Sequence, residues 1–219
     1  MVPNLCYNKG MPYKNRVKVI GTNTYYHAYA RGINKMRIYK ENADYIYFLY
    51  LLKKYLTKDF KEKKEVYGKE VELPVNGVYG QVELNVYSLM PNHFHLLLLN
   101  KEMGGMTNLM RRVLTSYTSY FNSKYQRQGP LIQGNYRVVA IRNTPQLITT
   151  GIYIHINSLK DGLVKRVSDY PYCSYKYYWG GKKCRWLVPN KEIKESTDYK
   201  NFKRYLKDES VIEYSNTVI

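Results

Sequence analysis

The sequence predicts an α+β protein with a ferredoxin-like split βαβ fold, in which a central antiparallel sheet carries helices on one face. Two observations lead to this prediction. Segments with strand-like and helix-like apolar spacing alternate in the order β-α-β-β-α-β, and a further helix follows the last strand. The 219 residues are 44% hydrophobic, which is enough to bury a core and argues against a disordered chain.

Residues 1–16 lack periodicity, and we interpret them as a basic N-terminal arm. The predicted elements begin after this arm. Residues 18–31 are rich in β-branched residues and tyrosine, and they predict the first strand. Residues 42–56 place apolar side chains at helical spacing and predict the first helix. The charged segment 58–70 predicts a solvated connection, and residues 80–90 predict the second strand.

The second half begins with a Pro-Asn turn, after which residues 93–100 predict a third strand antiparallel to the second. Thr107 predicts the N-cap of a helix that reaches about residue 125. Residues 136–142 predict the fourth strand. Thr144, followed by a proline, predicts the N-cap of a last helix that runs to residue 157 or beyond.

The charge of the chain predicts a polyanionic partner. Lys and Arg number 35 against 17 Asp and Glu, which gives a net charge of +18. We favour nucleic acid over a membrane surface because the sequence contains no basic amphipathic helix with a clean apolar face. We expect no membrane association, since no segment approaches the length of a transmembrane helix. The three cysteines are scattered and form no CxxC pair, which predicts a reducing, cytoplasmic setting.

The most informative motif is Met-Pro-Asn-His-Phe-His-Leu-Leu-Leu-Leu at residues 90–99. On a strand, His93 and His95 share one face, while Phe94 points to the core on the other. Neutral imidazoles are good ligands for divalent metals. The pair alone leaves a role in the core or on the surface open.

A second set of polar residues lies on the last predicted helix. Tyr153 and Asn157 are separated by four residues and therefore share one helical face. If that face meets the strand of His93 and His95, a phenol, an amide and two imidazoles come together. A metal held by the two histidines and the Asn157 amide oxygen would keep positions open for phosphate oxygens, so this set suits phosphodiester cleavage.

A family resemblance appears at these residues. Residues 89–97 resemble the histidine–hydrophobe–histidine (HUH) motif of single-tyrosine transposases that act on single-stranded DNA. The closest similarity is to the insertion-sequence-200-like branch and its REP-associated tyrosine transposases. Residues 26–34, 129–136, 153–164 and 170–175 resemble further segments of these proteins in the same order. The resemblance covers about residues 17–180, which we expect to form the catalytic domain, with a C-terminal extension over 181–219.

The resemblance implies a role for each matching residue. His93 and His95 would bind Mg²⁺ or Mn²⁺, Asn157 would be the third ligand, and Tyr153 would be the nucleophile that forms a 5′-phosphotyrosine. The expected activity is cleavage and rejoining of single-stranded, hairpin-associated DNA. Two departures are Ser158, where proline is common in the family, and Asn135, where a basic residue is common.

The partners follow from the same reading. We expect contacts with single-stranded or hairpin DNA from five arginines, namely Arg31, Arg111, Arg112, Arg137 and Arg142. We expect a nucleoid-associated protein of a bacterium or archaeon, and we favour a monomer over a dimer. One alternative is a domesticated, non-catalytic protein that binds DNA hairpins. Another is a replication-initiator or relaxase nuclease with the same chemistry.

Overall fold

The computed structural model describes residues 21–196, so the predicted N-terminal arm and the end of the C-terminal extension lie outside the described residues. The elements follow one another in chain order. The strands are β1 (Thr24–Arg31), β2 (Lys61–Val66), β3 (Lys69–Pro74), β4 (Val82–Met90), β5 (His93–Asn100) and β6 (Arg137–Ala140). The helices are α1 (Asn42–Leu56), α2 (Gly105–Lys124), α3 (Thr144–Lys160), α4 (Tyr175–Tyr178) and α5 (Lys191–Glu195), with short 3-10 turns at Ile33–Lys35 and Val167–Asp169.

The predicted fold class is confirmed. Four strands form an antiparallel sheet in the order β4-β5-β1-β6, which is the split βαβ arrangement. The central strand β5 pairs with β1 so that His95 lies opposite Tyr29 and His93 lies opposite Arg31. None of the described helices is both long and apolar enough to cross a membrane.

The sheet buries both of its faces, and the alternation of β5 separates them. Phe94, Leu96 and Leu98 belong to a core that α1 and α2 cover on one face. Leu97 belongs to a second core on the opposite face, where α3 packs against the sheet. The two histidines of β5 therefore face α3, because residues two apart on a strand share a side.

The charged connection contains a β-hairpin that the sequence analysis did not predict. β2 and β3 pair around a turn at Tyr67 and Gly68, both with positive φ, as tight two-residue hairpin turns require. The hairpin is largely exposed, as expected, so it lacks the alternation of apolar residues that reveals a half-buried strand. Glu62 anchors it to α1, accepting hydrogen bonds from Tyr50 Oη at 2.8 Å and Lys54 Nζ at 2.7 Å.

Several predicted element starts differ from the observed ones, including that of β4, predicted at residue 80 and found at Val82. Residues 18–20 of the predicted first strand lie outside the described residues, and β1 begins at Thr24, after Asn23 with a φ of 49°. The second long helix is capped by Gly104 rather than Thr107, and Gly105 has no room for a side chain, since a Cβ there would lie 2.5 Å from the Gln81 carbonyl oxygen. The N-cap of α3 is Asn143, one residue before Thr144, and its side chain accepts a hydrogen bond from the Gln146 amide.

The aromatic segment after α3 packs back onto the domain. The Leu89 amide donates to the Tyr172 carbonyl at 3.0 Å, and the Ser174 amide donates to the Tyr87 carbonyl at 2.9 Å. Further along, the Val188 amide donates to the Leu84 carbonyl at 2.9 Å. The segment therefore covers the outer edge of β4, and its aromatic residues serve mainly as packing.

Candidate active site

The histidine pair stands at the start of β5, directly after the two-residue turn that joins it to β4. The rings of His93 and His95 lie side by side, 4.9 Å apart between centroids and nearly perpendicular. His95 is 1% exposed and His93 is 9% exposed, so both side chains are buried below the protein surface. The predicted pairing of two imidazoles on one face of a strand is thus present.

Hydrogen bonds that involve the Nδ1 atoms of His93 and His95 orient both imidazoles. His93 Nδ1 donates to Asn92 Oδ1 at 2.6 Å, because a carbonyl oxygen only accepts. His95 Nδ1 lies 2.8 Å from His27 Nε2, and one of these two nitrogens donates to the other. The two remaining nitrogens, Nε2 of His93 and Nε2 of His95, are buried and have no hydrogen-bond partner among the described residues.

The electrostatics of the site keep the imidazoles neutral. Burial lowers the pKa of His93 to about 4, and the charge of Arg31 acts in the same direction. Burial also holds the pKa of His95 well below its usual value, and that of His27 is lowered to about 3. Neutral imidazoles with free Nε2 lone pairs are the form that binds a divalent metal.

The predicted tyrosine lies against this pair. α3 crosses the sheet so that the Tyr153 ring meets His95 edge-on at 5.5 Å and His27 at 6.0 Å between centroids. Asn157 lies one turn later, where its Nδ2 donates to the Tyr153 carbonyl at 3.0 Å. The amide oxygen of Asn157 is not used in that bond, so it is the atom that a metal would take.

The Tyr153 side chain is fully buried in this conformation. Its neighbours His27 and His95 are buried as well, and the cavity that His93 and His95 line does not include Tyr153 in its lining. A molecule that enters the cavity therefore contacts the phenol only after α3 or the side chains around Tyr153 move.

If a divalent metal binds here, its protein ligands would be two histidines and an amide. Within residues 21–196, no three His, Cys, Asp or Glu side chains converge in a way that would hold a metal ion. The fit to a divalent cation consequently depends on the two unpartnered Nε2 atoms. Two imidazoles and one amide oxygen would leave further coordination positions for phosphate or water.

A cavity of about 210 Å³ opens next to the histidine pair. Two of the five predicted DNA-contacting arginines, Arg31 and Arg137, line it. The other three lie elsewhere: Arg111 borders a groove along α2, and Arg142 precedes α3. The guanidinium of Arg112 lies 5.9 Å from the ring of Tyr55 on α1.

Two further residues near the site were not singled out from the sequence. Lys35, like Arg31 and Arg137, lines the cavity. Lys160 places its Nζ 5.4 Å from the Tyr153 ring centroid, and burial lowers the pKa of its ammonium group. Lys160 follows Tyr153 by seven residues, so helical spacing alone could have placed the two on one face.

The remaining histidines play supporting roles. His27 is hydrogen-bonded to His95 and thereby helps to orient it. His155 is fully buried, and its Nε2 lies 2.8 Å from Ser174 Oγ. It therefore fastens the aromatic segment to the back of α3.

Comparison with known proteins identifies the fold. No family model matches the sequence, and no curated protein matches it. Among solved structures, a REP-associated tyrosine transposase bound to a REP hairpin is similar, with a TM-score of 0.52 and 17% sequence identity. The similarity covers 85% of this chain and 96% of that one. The chain thus shares the fold of that transposase over most of its length, as the sequence motifs had indicated.

Proposed function

We propose that this protein is a single-strand DNA endonuclease and transposase that cleaves and rejoins hairpin-associated DNA through Tyr153. The observation that carries the proposal is the pair of buried, unpartnered Nε2 atoms of His93 and His95, with the Tyr153 ring 5.5 Å from His95. The net charge of +18 and the hairpin DNA bound by the similar transposase support a DNA substrate.

The proposed reaction is a transesterification at phosphorus. The Tyr153 phenol oxygen bonds to the scissile phosphate as the bond to the 3′ oxygen breaks, which gives a 5′-phosphotyrosine and a free 3′-hydroxyl. The phenol releases its proton, and the leaving 3′ oxygen takes one up. Rejoining reverses these steps, because the phosphotyrosine ester retains the energy of the original linkage.

His93, His95 and Asn157 would hold the divalent cation, Mg²⁺ or Mn²⁺. When bound, the cation would polarise the scissile phosphate and stabilise the leaving oxygen. His27 and Asn92 would orient the two imidazoles through their hydrogen bonds. The basic side chains that line the cavity would attract the DNA backbone.

A second function, a non-catalytic DNA-hairpin-binding protein, is favoured by one observation. Tyr153 is fully buried, and a protein that only binds DNA has no need to expose it. The two functions share the basic surface, so binding alone does not separate them.

The test is the formation of a covalent protein–DNA adduct. Hairpin oligonucleotides from the DNA that flanks the gene are incubated with the protein and Mg²⁺ or Mn²⁺, and the products are separated on a denaturing gel. We expect a metal-dependent adduct with the wild type and with Tyr67→Phe, a matched control at a fully exposed tyrosine. Tyr153→Phe and His95→Ala abolish it. Tight, salt-sensitive binding by the wild type without any adduct would overturn the endonuclease proposal in favour of the binding protein.

A further inference from the structure

The cavity beside His93 and His95 has a chemistry that phosphate binding alone does not require. Its cationic lining residues are Arg31, Lys35 and Arg137, and none of its lining residues is acidic. The same cavity is also lined by one aromatic ring, from Tyr29, and by two amide side chains, from Gln133 and Asn135. Cations suit a phosphate, whereas an aromatic ring and amides suit a nucleobase.

The aromatic ring is held in place by the histidines. Tyr29 lies opposite His95 in the β1–β5 pairing, and the two rings are 28° from parallel with centroids 6.0 Å apart. The Tyr29 ring also lies 5.1 Å from His27. Tyr29 is half-buried, so it forms a fixed wall of the cavity rather than a free surface side chain.

The backbone fixes the position of the amides. The backbone N–H of Gln133 donates to the Arg31 carbonyl at 2.9 Å, and Ile132 forms an antiparallel β-bridge with Gly32. The segment before β6 is thereby held against the end of β1, next to the histidines. The side-chain amides of Gln133 and Asn135 are exposed, and neither hydrogen-bonds to another described residue.

We propose that this cavity is a subsite for a single nucleotide next to the scissile phosphate, and that it selects deoxyadenosine. Tyr29 stacks on the base, Gln133 and Asn135 hydrogen-bond to its edge, and the three cations hold its phosphate. Adenine is the base that Asn and Gln side chains pair with through two hydrogen bonds. The volume of about 210 Å³ is below the range of about 300–1,000 Å³ typical of pockets for drug-sized ligands, so the cavity itself takes no more than one base, and the sugar and phosphate lie toward its open side. The assignment rests on the proposed function, since it places the nucleotide beside the reacting phosphate.

The experiment measures binding without cleavage. Full-length protein carrying Tyr153→Phe is titrated into fluorescein-labelled short homopolymers of deoxyadenosine, deoxycytidine or thymidine, and into an abasic oligomer of equal length, and anisotropy is recorded. We expect the deoxyadenosine oligomer to bind about tenfold more tightly than the abasic oligomer, as stacking and edge contacts to one base allow. The other two homopolymers fall in between.

Variants then assign the preference to the cavity. Gln133→Leu combined with Asn135→Leu removes the difference between deoxyadenosine and thymidine oligomers but leaves abasic binding unchanged. Arg137→Ala weakens the binding of every oligomer, including the abasic one. Gln128→Leu, at an exposed amide that does not line the cavity, keeps the wild-type pattern. Thermal melting confirms that each variant folds.

Two results would overturn the subsite. One is equal binding of the abasic and deoxyadenosine oligomers by the parent protein, and the other is a base preference that survives the double amide substitution. Failure of the proposed function is separate, because a missing covalent adduct with wild-type protein leaves the anisotropy result unaffected.

Discussion

Replacing His155 by glutamine is expected to remove part of the sensitivity of the fold to acid. His155 lies on the face of α3 that meets the aromatic segment, where it is fully buried and 2.8 Å from Ser174 Oγ. The rings of Tyr175, Tyr178 and Trp179 surround it. Glutamine is uncharged at every pH in question and can hydrogen-bond to Ser174, so the substitution mainly removes the titration.

The magnitude follows from the difference between the folded and unfolded pKa. Burial lowers the pKa of His155 from 6.5 to about 3 in the folded protein. The unfolded chain binds a proton below its pKa of about 6.5, while the folded chain does not. The stabilisation is therefore complete above about pH 6.5 and declines as the pH falls toward the folded value. At about pH 5 the loss is about 2 kcal/mol for this one histidine.

Urea unfolding of wild type and His155→Gln, near pH 7.5 and near pH 5, measures this loss. The other described histidines also have lowered pKa values, so both proteins lose stability in acid. We expect the wild type to lose about 2 kcal/mol more than the variant over this interval. Ser174→Ala, which keeps the imidazole, serves as the control and retains the full acid sensitivity. Equal losses in wild type and His155→Gln would refute the reasoning.

Two further substitutions test the site. His27→Gln is expected to weaken Mn²⁺ binding about 10–100-fold in calorimetric titration, because it removes the imidazole that orients His95; unchanged affinity would exclude that role. Lys160→Met is expected to slow adduct formation about 100-fold with little change in DNA affinity, because its ammonium group lies beside Tyr153. Lys160→Arg is expected to restore much of the rate, whereas Lys165→Met, at an exposed lysine, leaves the wild-type rate unchanged. An undiminished rate in Lys160→Met would contradict a role of Lys160 in adduct formation.

The central elements were predictable because their side chains face two different environments. The run His93–Asn100 alternates between two buried faces, and its predicted bounds coincide with those of β5. The first helix likewise has the predicted bounds, since its apolar spacing follows one face. The β2–β3 hairpin escaped prediction because it is largely exposed, so its strands carry no burial pattern to detect.

The candidate site was predictable only as far as local spacing extends. Two-residue spacing placed His93 and His95 on one face, and four-residue spacing did the same for Tyr153 and Asn157. The approach of His27 depends on the pairing of β1 with β5, which no local pattern specifies. The position of Gln133 depends in the same way on a backbone bond to the end of β1.

Residues 172–188 pair with the outer edge of β4, so the domain needs them to avoid an exposed strand edge. A chain shortened after α3 would expose the amide of Leu89 and the carbonyls of Tyr87 and Leu84, which residues 172–188 now satisfy. Unpaired strand edges recruit other strands, so such a fragment would self-associate. The split βαβ unit and residues 172–188 therefore form one structural unit. We expect a gene fusion that carries the first without the second to give an aggregating protein rather than a folded domain.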